Sequence, residues 1–285
     1  MNKKKKVLVI LGGTSGERKV SIATGKACIK ALKELGYMVS TYDPKIKALN
    51  LINKKKVDII FNALHGKDGE DGVAQSYFEY LRVPYTHSGV LSSYNSMNKY
   101  ISKKIFKKNK IKTPKFFILK KNYFSRNLLR NMIKNQNIKY PIVVKPVNEG
   151  SSIGVKICKN FAILSRSIKL LFKKYNELIV EKFIGGQEIQ VAVINNTPIG
   201  AIELKPKRQF YDYKAKYSKK AKTEHIMPAN LSKNKYDQAL KIAKKAHKAL
   251  ACRGVTRSDF KFYKNQFFLL EINTQPGMTK LSLVP

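Results

Sequence analysis

Arg257-Ser-Asp-Phe-Lys-Phe-Tyr-Lys-Asn-Gln-Phe-Phe-Leu-Leu-Glu271-Ile-Asn273-Thr-Gln-Pro-Gly277 is the stretch whose reading decides the fold. It predicts two strands, 256–263 and 267–273, rich in aromatic and branched side chains, with Lys264-Asn265 as a turn signal between them. Side chains alternate faces along a strand, so Arg257 and Asp259 share one face, and Glu271 and Asn273 share another. Register decides whether those faces coincide. A two-residue loop pairs Asp259 with Leu270 and sends the carboxylates to opposite sides. A three-residue loop, Lys264 to Gln266, pairs Asp259 with Glu271 and Arg257 with Asn273. Both loop lengths are common. In the second register two carboxylates and an amide oxygen converge beside a guanidinium. Such hard oxygen donors suit Mg²⁺, which completes its shell with water and substrate phosphates. The alternative is a hairpin with a solvated polar face.

Working outward, 285 residues suggest two or three domains. No apolar run approaches the roughly 20 residues of a membrane span, and Val7 to Leu11 is too short for a signal-peptide core. A cytosolic location is expected. Cys28, Cys158 and Cys252 lack metal spacing and read as free, buried thiols. The net charge of +39 raises the question of a polyanion partner. However, 49 of the 57 basic residues are Lys and they are spread over the whole chain. A nucleic-acid surface favours Arg for bidentate contacts. The charge therefore reads as compositional drift, with only salt-sensitive, non-specific polyanion binding as its by-product.

At the start, strand 7–11 runs into Gly12-Gly-Thr-Ser-Gly16-Glu17-Arg18. Ser21 is placed to cap a helix carrying Ile22, Cys28, Leu32 and Leu35 and ending at Gly36. A Gly-rich turn at a helix N-terminus can bind an anion, but this one lacks G-x-G-x-x-G and Walker spacing. Glu17 offers a carboxylate to a substrate ammonium. Strands 38–42, 57–61 and 83–85 alternate with helical segments, the pattern of an open parallel sheet. Ala63 to Gly72 holds His65, three glycines and three acids without EF-hand spacing. A helix over 95–108 carries Lys99, and Lys112-Thr-Pro114 marks a domain boundary.

Strand 142–145 ends in Lys145 and enters a Gly-Ser loop over 150–154 that can cover phosphates. The same letters fit the G-x-S-x-G nucleophile elbow centred on Ser152. That motif needs a following helix, whereas Val155 to Cys158 reads as a strand. A helix over 161–175 and a strand over 178–184 lead to Gly185-Gly-Gln-Glu188. Strands 189–194 and 198–204 then open into a long loop, roughly 205–228, containing Phe210-Tyr-Asp-Tyr213-Lys-Ala-Lys216-Tyr217. Its aromatic and Lys residues could stack on single-stranded nucleic acid, yet a loop of this length is more often a lid. Ser232 is placed to cap a helix that holds His247 on its apolar side.

These segments in this order resemble D-alanine–D-alanine ligases of the ATP-grasp superfamily. The resemblance rests on Arg257-Ser-Asp259, Leu-Leu-Glu271-Ile-Asn273-Thr-Gln-Pro-Gly-Met-Thr, Gly-Gly-Thr-Ser-x-Glu17-Arg-x-Val-Ser, the His65 loop, Phe-Tyr-Asp-Tyr-x-Ala-Lys216-Tyr217 and Ser282-Leu283-Val-Pro. It implies an α/β fold of the ATP-grasp type, with an N-terminal Rossmann-like parallel-sheet domain and two α+β ATP-grasp subdomains. Their expected extents are 1–94, 95–184 and 185–285, without a terminal helix that family members carry. It further implies ligation of two D-alanines through an acyl phosphate for peptidoglycan precursor synthesis, with ATP as co-substrate and two Mg²⁺ (or Mn²⁺) ions. Asp259, Glu271 and Asn273 would hold the metal. Lys99, Lys145, Glu181, Lys182, Ile184, Glu188 and Lys216 would bind ATP. Glu17, Ser151, Tyr217 and Arg257 would be catalytic, with Tyr217 linking Glu17 and Ser151. His65, Gly277, Ser282 and Leu283 would contact substrate. Tyr217 resembles dipeptide-forming members rather than those making D-alanyl-D-lactate. Asn98 and Gln190 depart from the family's Asp and Thr. A homodimer is expected, with no specific nucleic acid and no membrane.

Overall fold

The computed structural model describes residues 5–205, 223–279 and 282–285. Three sheets follow one another along the chain. The first is parallel, in the order β2-β1-β3, from β1 (Lys6–Ile10), β2 (Met38–Tyr42) and β3 (Ile59–Asn62). Val7, Leu8, Val9 and Ile10 are all buried, as a parallel strand covered on both faces requires. Val7 and Val9 pack towards Ile29 and Leu32 of α1 (Arg18–Glu34). Leu8 and Ile10 pack towards Ala74 and Phe78 of α2 (Val73–Leu81).

Several expectations are corrected here. The strand expected at 83–85 is a single parallel bridge, Ile60 to Tyr85. Helix α1 starts at Arg18 with Glu17 at its N-cap, so Ser21 is not the cap. Ser21 lies inside the helix, donating to the Ala63 carbonyl (2.8 Å) and accepting from the Gly12 amide (2.8 Å). It thereby ties the Gly-rich turn to the end of β3. The helix expected over 95–108 is two helices, α3 (Val90–Met97) and α4 (Lys99–Lys108). Asn98 separates them with extended backbone, and its Oδ1 caps α4 at the Ile101 amide.

The second sheet is antiparallel, β4-β7-β5-β6, from β4 (Phe116–Lys120), β5 (Ile142–Pro146), β6 (Lys156–Cys158) and β7 (Glu177–Lys182). Ile142, Val144, Leu178 and Val180 face α5 (Arg126–Asn135) and α6 (Phe161–Leu171). The alternate residues, Val143, Lys145 and Glu181, are left for the opposite face. The helix expected over 161–175 ends at Leu171, and the strand expected over 178–184 ends at Lys182. The strand β6 after the Gly-Ser loop removes the nucleophile-elbow alternative for Ser152.

The third sheet is antiparallel, β10-β9-β8-β11-β12, from β8 (Gln187–Ile194), β9 (Thr197–Lys205), β10 (Glu224–Ile226), β11 (Val255–Tyr263) and β12 (Gln266–Asn273). β10 lies within the segment read as a loop. Helix α7 (Lys233–Ala249) covers one face through Ala239, Ala243 and Ala246, whose small side chains let its backbone approach the sheet. Phe106 of α4 and Ile111 also enter this core. His247 is buried there, with Nδ1 2.8 Å from Thr256 Oγ1. The three cysteines are free and buried. Among the described residues no helix is long and apolar enough to cross a membrane.

Candidate active site

The β11–β12 turn is short and yet gives the register that brings the carboxylates together. Tyr263 pairs with Gln266 across a two-residue turn, and Lys264 and Asn265 both adopt left-handed φ, 47° and 61°. This is the backbone that two-residue hairpins with matching twist require. Phe260 pairs with Leu269, but Asp259 pairs with Glu271. Leu270 is the extra residue of a β-bulge. The three-residue turn that the sequence reading required for this pairing is therefore not used; the bulge does its work. It also shifts the burial parity of β12: Phe267 and Leu269 point to the core before it, and Ile272 after it. Leu270 and Glu271 consequently both line the same cleft.

On the open face of this sheet, cross-strand neighbours form rows. Glu188 pairs with Lys261, Gln190 with Asp259 and then Glu271, and Ala192 with Arg257 and then Asn273. The Arg257 guanidinium forks onto Asp259, with Nε to Oδ1 at 2.8 Å and Nη2 to Oδ2 at 2.9 Å. Asn273 Nδ2 lies 3.4 Å from Asp259 Oδ2, and Lys99 Nζ lies 3.7 Å from Glu271 Oε2. The donor set is two opposed carboxylates and an amide. Among the described residues no cluster of three or more His, Cys, Asp and Glu exists. A Zn²⁺-type site is thus not formed there, whereas two carboxylates with room for phosphate oxygens fit Mg²⁺ or Mn²⁺.

A cleft opens between this face and the second sheet. Lys145, Glu181, Lys182, Ile184 and Glu188 line it with Lys99, Asp259 and Glu271. Residues of the Gly-Ser loop, Glu149, Ser152 and Ile153, cover it from one side. Lys145 Nζ lies 2.6 Å from Glu181 Oε1. Burial pulls the Lys145 ammonium down, but Glu181 and Glu271 outweigh it and raise its pKa above the ordinary lysine value. Burial pushes the Glu181 carboxyl up, and the neighbouring Lys103 and Lys145 outweigh that and hold it below the usual carboxylate range. Lys261 and Glu188 pair at 2.9 Å at the cleft edge.

The second pocket adjoins the first at the Arg257–Asn273 row. Glu17, His65, Ser151, Arg257, Asn273, Gly277, Ser282 and Leu283 all line it. Ser151 donates to Glu17 Oε1. A Cβ added at Gly66 would come within 2.7 Å of Glu17 Oε2, and one at Gly150 within 3.2 Å, so these two glycines make room for that carboxylate. His65 Nδ1 lies 2.6 Å from Glu70 Oε1, and its Nε2 lies 3.0 Å from Thr24 Oγ1. With Glu70 ionised, Nδ1 carries the proton and, in the neutral ring, Nε2 accepts. Ser282 Oγ accepts from the Thr279 amide at 2.9 Å, which folds the last described residues over the pocket. Ser151 and Ser152 have left-handed φ, 49° and 61°, so the loop carries backbone strain at the junction of both pockets.

Lys216 and Tyr217 lie outside the described residues. Every other residue given a catalytic, ATP-binding, metal or substrate role from the sequence lines one of the two pockets. Sequence reasoning missed the supports. Gln275 donates to the Leu64 carbonyl and accepts from Asn62 Nδ2 (2.8 Å), clamping the catalytic strand's end to β3. Arg18 and Asp43 form a bidentate pair behind the Gly-rich turn, at 3.0 and 2.7 Å. Lys103, fully buried, stands 3.0 Å from Glu181 Oε2. Its one signal was its spacing of four from Lys99, which places both on one helix face.

Two antiparallel sheets gripping a cleft lined by lysines and acids, beside a parallel-sheet domain that contributes Glu17, make up an ATP-grasp ligase architecture. The comparisons agree. The family described as D-ala D-ala ligase C-terminus matches residues 105–285, and D-ala D-ala ligase N-terminus matches residues 40–88. A D-alanine–D-alanine ligase of Pelagibacter ubique (strain HTCC1062) is 54% identical over 283 residues, covering 99% of this chain and 91% of the relative. The crystal structure of the Bacillus anthracis D-alanine–D-alanine ligase superposes with a TM-score of 0.86 at 35% identity, covering 99% of this chain and 90% of that one. Its complex with ATP gives 0.83 at 32%, covering 100% and 90%. The VanG D-Ala:D-Ser ligase of Enterococcus faecalis gives 0.85 at 29%, covering 99% and 94%. The chain belongs to the D-alanine–D-alanine ligase family.

Proposed function

We propose that this chain joins two D-alanines to D-alanyl-D-alanine at the expense of ATP, supplying a peptidoglycan precursor. The observation that carries this reading is that adjacent rows of one hairpin line the two pockets. Asp259 and Glu271 face the cleft, while Arg257 and Asn273, one step along the same strands, face the pocket that holds Glu17. Phosphoryl transfer and acyl transfer are thereby placed next to each other.

Glu17 holds the ammonium of the first D-alanine, oriented by Ser151. The carboxylate oxygen of that D-alanine attacks the γ-phosphorus, the bond to the β-phosphate oxygen breaks, and ADP and D-alanyl phosphate result. The amine of the second D-alanine, held near Ser282, Leu283 and Gly277, then attacks the acyl carbon. Phosphate leaves with the C–O bonding pair and takes up the proton that the amine gives up. Arg257 is placed to stabilise the oxyanion of that addition. Lys99 and Lys145 bind the phosphates, with Lys216 from the lid proposed as a third cation. Glu181, Lys182 and Ile184 hold the adenine end and Glu188 the ribose. Asp259, Glu271 and Asn273 would hold two Mg²⁺ or Mn²⁺ ions, whose chemistry is to neutralise charge on the transferring phosphoryl group. His65, tied to Glu70, keeps the acyl end of the pocket shaped, and Tyr217 is proposed to link Glu17 and Ser151 when the lid closes and excludes water.

The extents 1–94, 95–184 and 185–285 are proposed as the three domains, with α4 packed beneath the third. A homodimer in the cytoplasm is the proposed state. Parallel assays with D-alanine, D-serine, D-lactate and L-alanine as second substrate test the reading; D-alanine should be used best, and a preference for any other would replace it.

A further inference from the structure

The nucleotide cleft has a cation behind its wall that no contact with a ligand explains. Lys103 is completely buried. Its Nζ lies 3.0 Å from Glu181 Oε2 and donates to Thr113 Oγ1 at 2.8 Å. Thr113 in turn donates to the Leu269 carbonyl on β12 at 2.8 Å, so this ammonium sits where α4, β7 and the catalytic hairpin meet. On the other side of Glu181, Lys145 Nζ is 2.6 Å from Oε1 and lines the cleft. A buried charge is costly unless paired, and a buried ionic triad is often no more stable than the apolar residues that could replace all three members.

The charge count supplies a reason to keep it. Glu181 alone would neutralise Lys145, leaving the pair with no net charge to offer a triphosphate. With Lys103 behind it, the triad Lys103–Glu181–Lys145 carries one net positive charge, and Lys145 is the member at the cleft. We propose that Lys103 is a positioning residue for nucleotide binding: it neutralises Glu181 from behind and so leaves the charge of Lys145 available to the phosphates of ATP. This rests on the nucleotide reading of the cleft.

The test is ATP affinity, measured by titration calorimetry, and the separate KM values for ATP and D-alanine. The proteins are wild type and two variants that remove the charge, Lys103→Met and Lys103→Gln. Lys103→Met should weaken ATP binding on the order of tenfold, as expected for one unit charge near a phosphate at an effective dielectric of about 20. The KM for D-alanine should move less than about twofold, because the acceptor pocket lies beyond the Asp259 row. Lys103→Gln removes the same charge while keeping a polar group beside Thr113 Oγ1, and should show the same loss.

A second readout is pH. Burial pushes the Lys103 pKa down to about 8, with Glu181 and Glu271 opposing and Lys145 reinforcing the shift. Wild-type ATP affinity should therefore weaken as pH rises through about 8, and this step should be absent from Lys103→Met. A folded Lys103→Met or Lys103→Gln that binds ATP as wild type does overturns the proposal. If Lys103→Met does not fold, Lys103→Gln decides: a tenfold loss of ATP binding supports the proposal and wild-type binding overturns it. Wild-type protein that fails to bind ATP would remove the nucleotide reading and this inference with it; wild-type binding with indifferent variants removes this inference alone.

Discussion

Asp259 stands directly across from Glu271 although only two residues turn the chain between their strands, because Leu270 bulges out of β12. The paired carboxylates are held by core residues on either side of the bulge and not by the turn. Neutralising either one should leave this scaffold intact. Asp259→Asn and Glu271→Gln are each expected to lower turnover at least about 100-fold, the scale of losing one preorganised electrostatic group. Circular dichroism should be unchanged. Near-normal rates in both variants would remove the metal-site assignment.

The bond from Ser151 to Glu17 joins the flap over the cleft to the first helix of the chain. Glu17→Gln removes the charge that would hold a substrate ammonium. The expected result is a rise of roughly 10- to 100-fold in the KM for D-alanine, the worth of a hydrogen bond to a charged group. The KM for ATP should change little. Equal rises in both would place Glu17 in the nucleotide site instead.

His87 predicts a pH dependence of stability. It is buried against Phe61, its carbonyl accepts from Arg253 Nε at 2.9 Å, and burial with the nearby His65 pushes its pKa down to about 4. The folded state therefore keeps the ring neutral while the unfolded chain protonates near 6.5. Stability should be fully present above pH 6.5 and fall as the pH drops from there to about 4, by about 3 kcal/mol in total. His87 has φ of 71°, which Asn tolerates. Denaturant midpoints of His87→Asn should lack this component; an unchanged slope against pH would assign the acid sensitivity elsewhere.

Gln275 clamps two sheets together through Leu64 and Asn62. Gln275→Ala leaves two buried groups without their partner and should cost about 1–3 kcal/mol. Thermal unfolding should show the loss, and unaltered unfolding would mean that the clamp is relieved by neighbouring groups.

The fold was readable where local pattern and burial agree. Val7 to Ile10 and Ile142 to Val144 are apolar runs that became buried strands, and Arg257, Asp259, Glu271 and Asn273 fell on one face. It was less readable where tertiary contacts override pattern. Pro84 and its neighbours look like a fourth strand, but only Tyr85 bridges β3. Ser21 has the chemistry of a cap, yet its hydroxyl serves the Gly-rich turn from inside α1. The register of the catalytic hairpin was not legible, because Phe267, Phe268, Leu269 and Leu270 are all apolar, and only the burial of 267, 269 and 272 reveals the bulge. Lys103 offered only its spacing of four from Lys99, and one lysine among 49 does not stand out until its burial is seen.

The most direct test of the central claim is phosphate release from ATP and Mg²⁺, with and without D-alanine, with the product weighed by mass spectrometry. The account predicts release that depends on D-alanine and a product with the mass of D-alanyl-D-alanine. Release that ignores D-alanine, or no turnover from a folded protein that binds ATP, would contradict it.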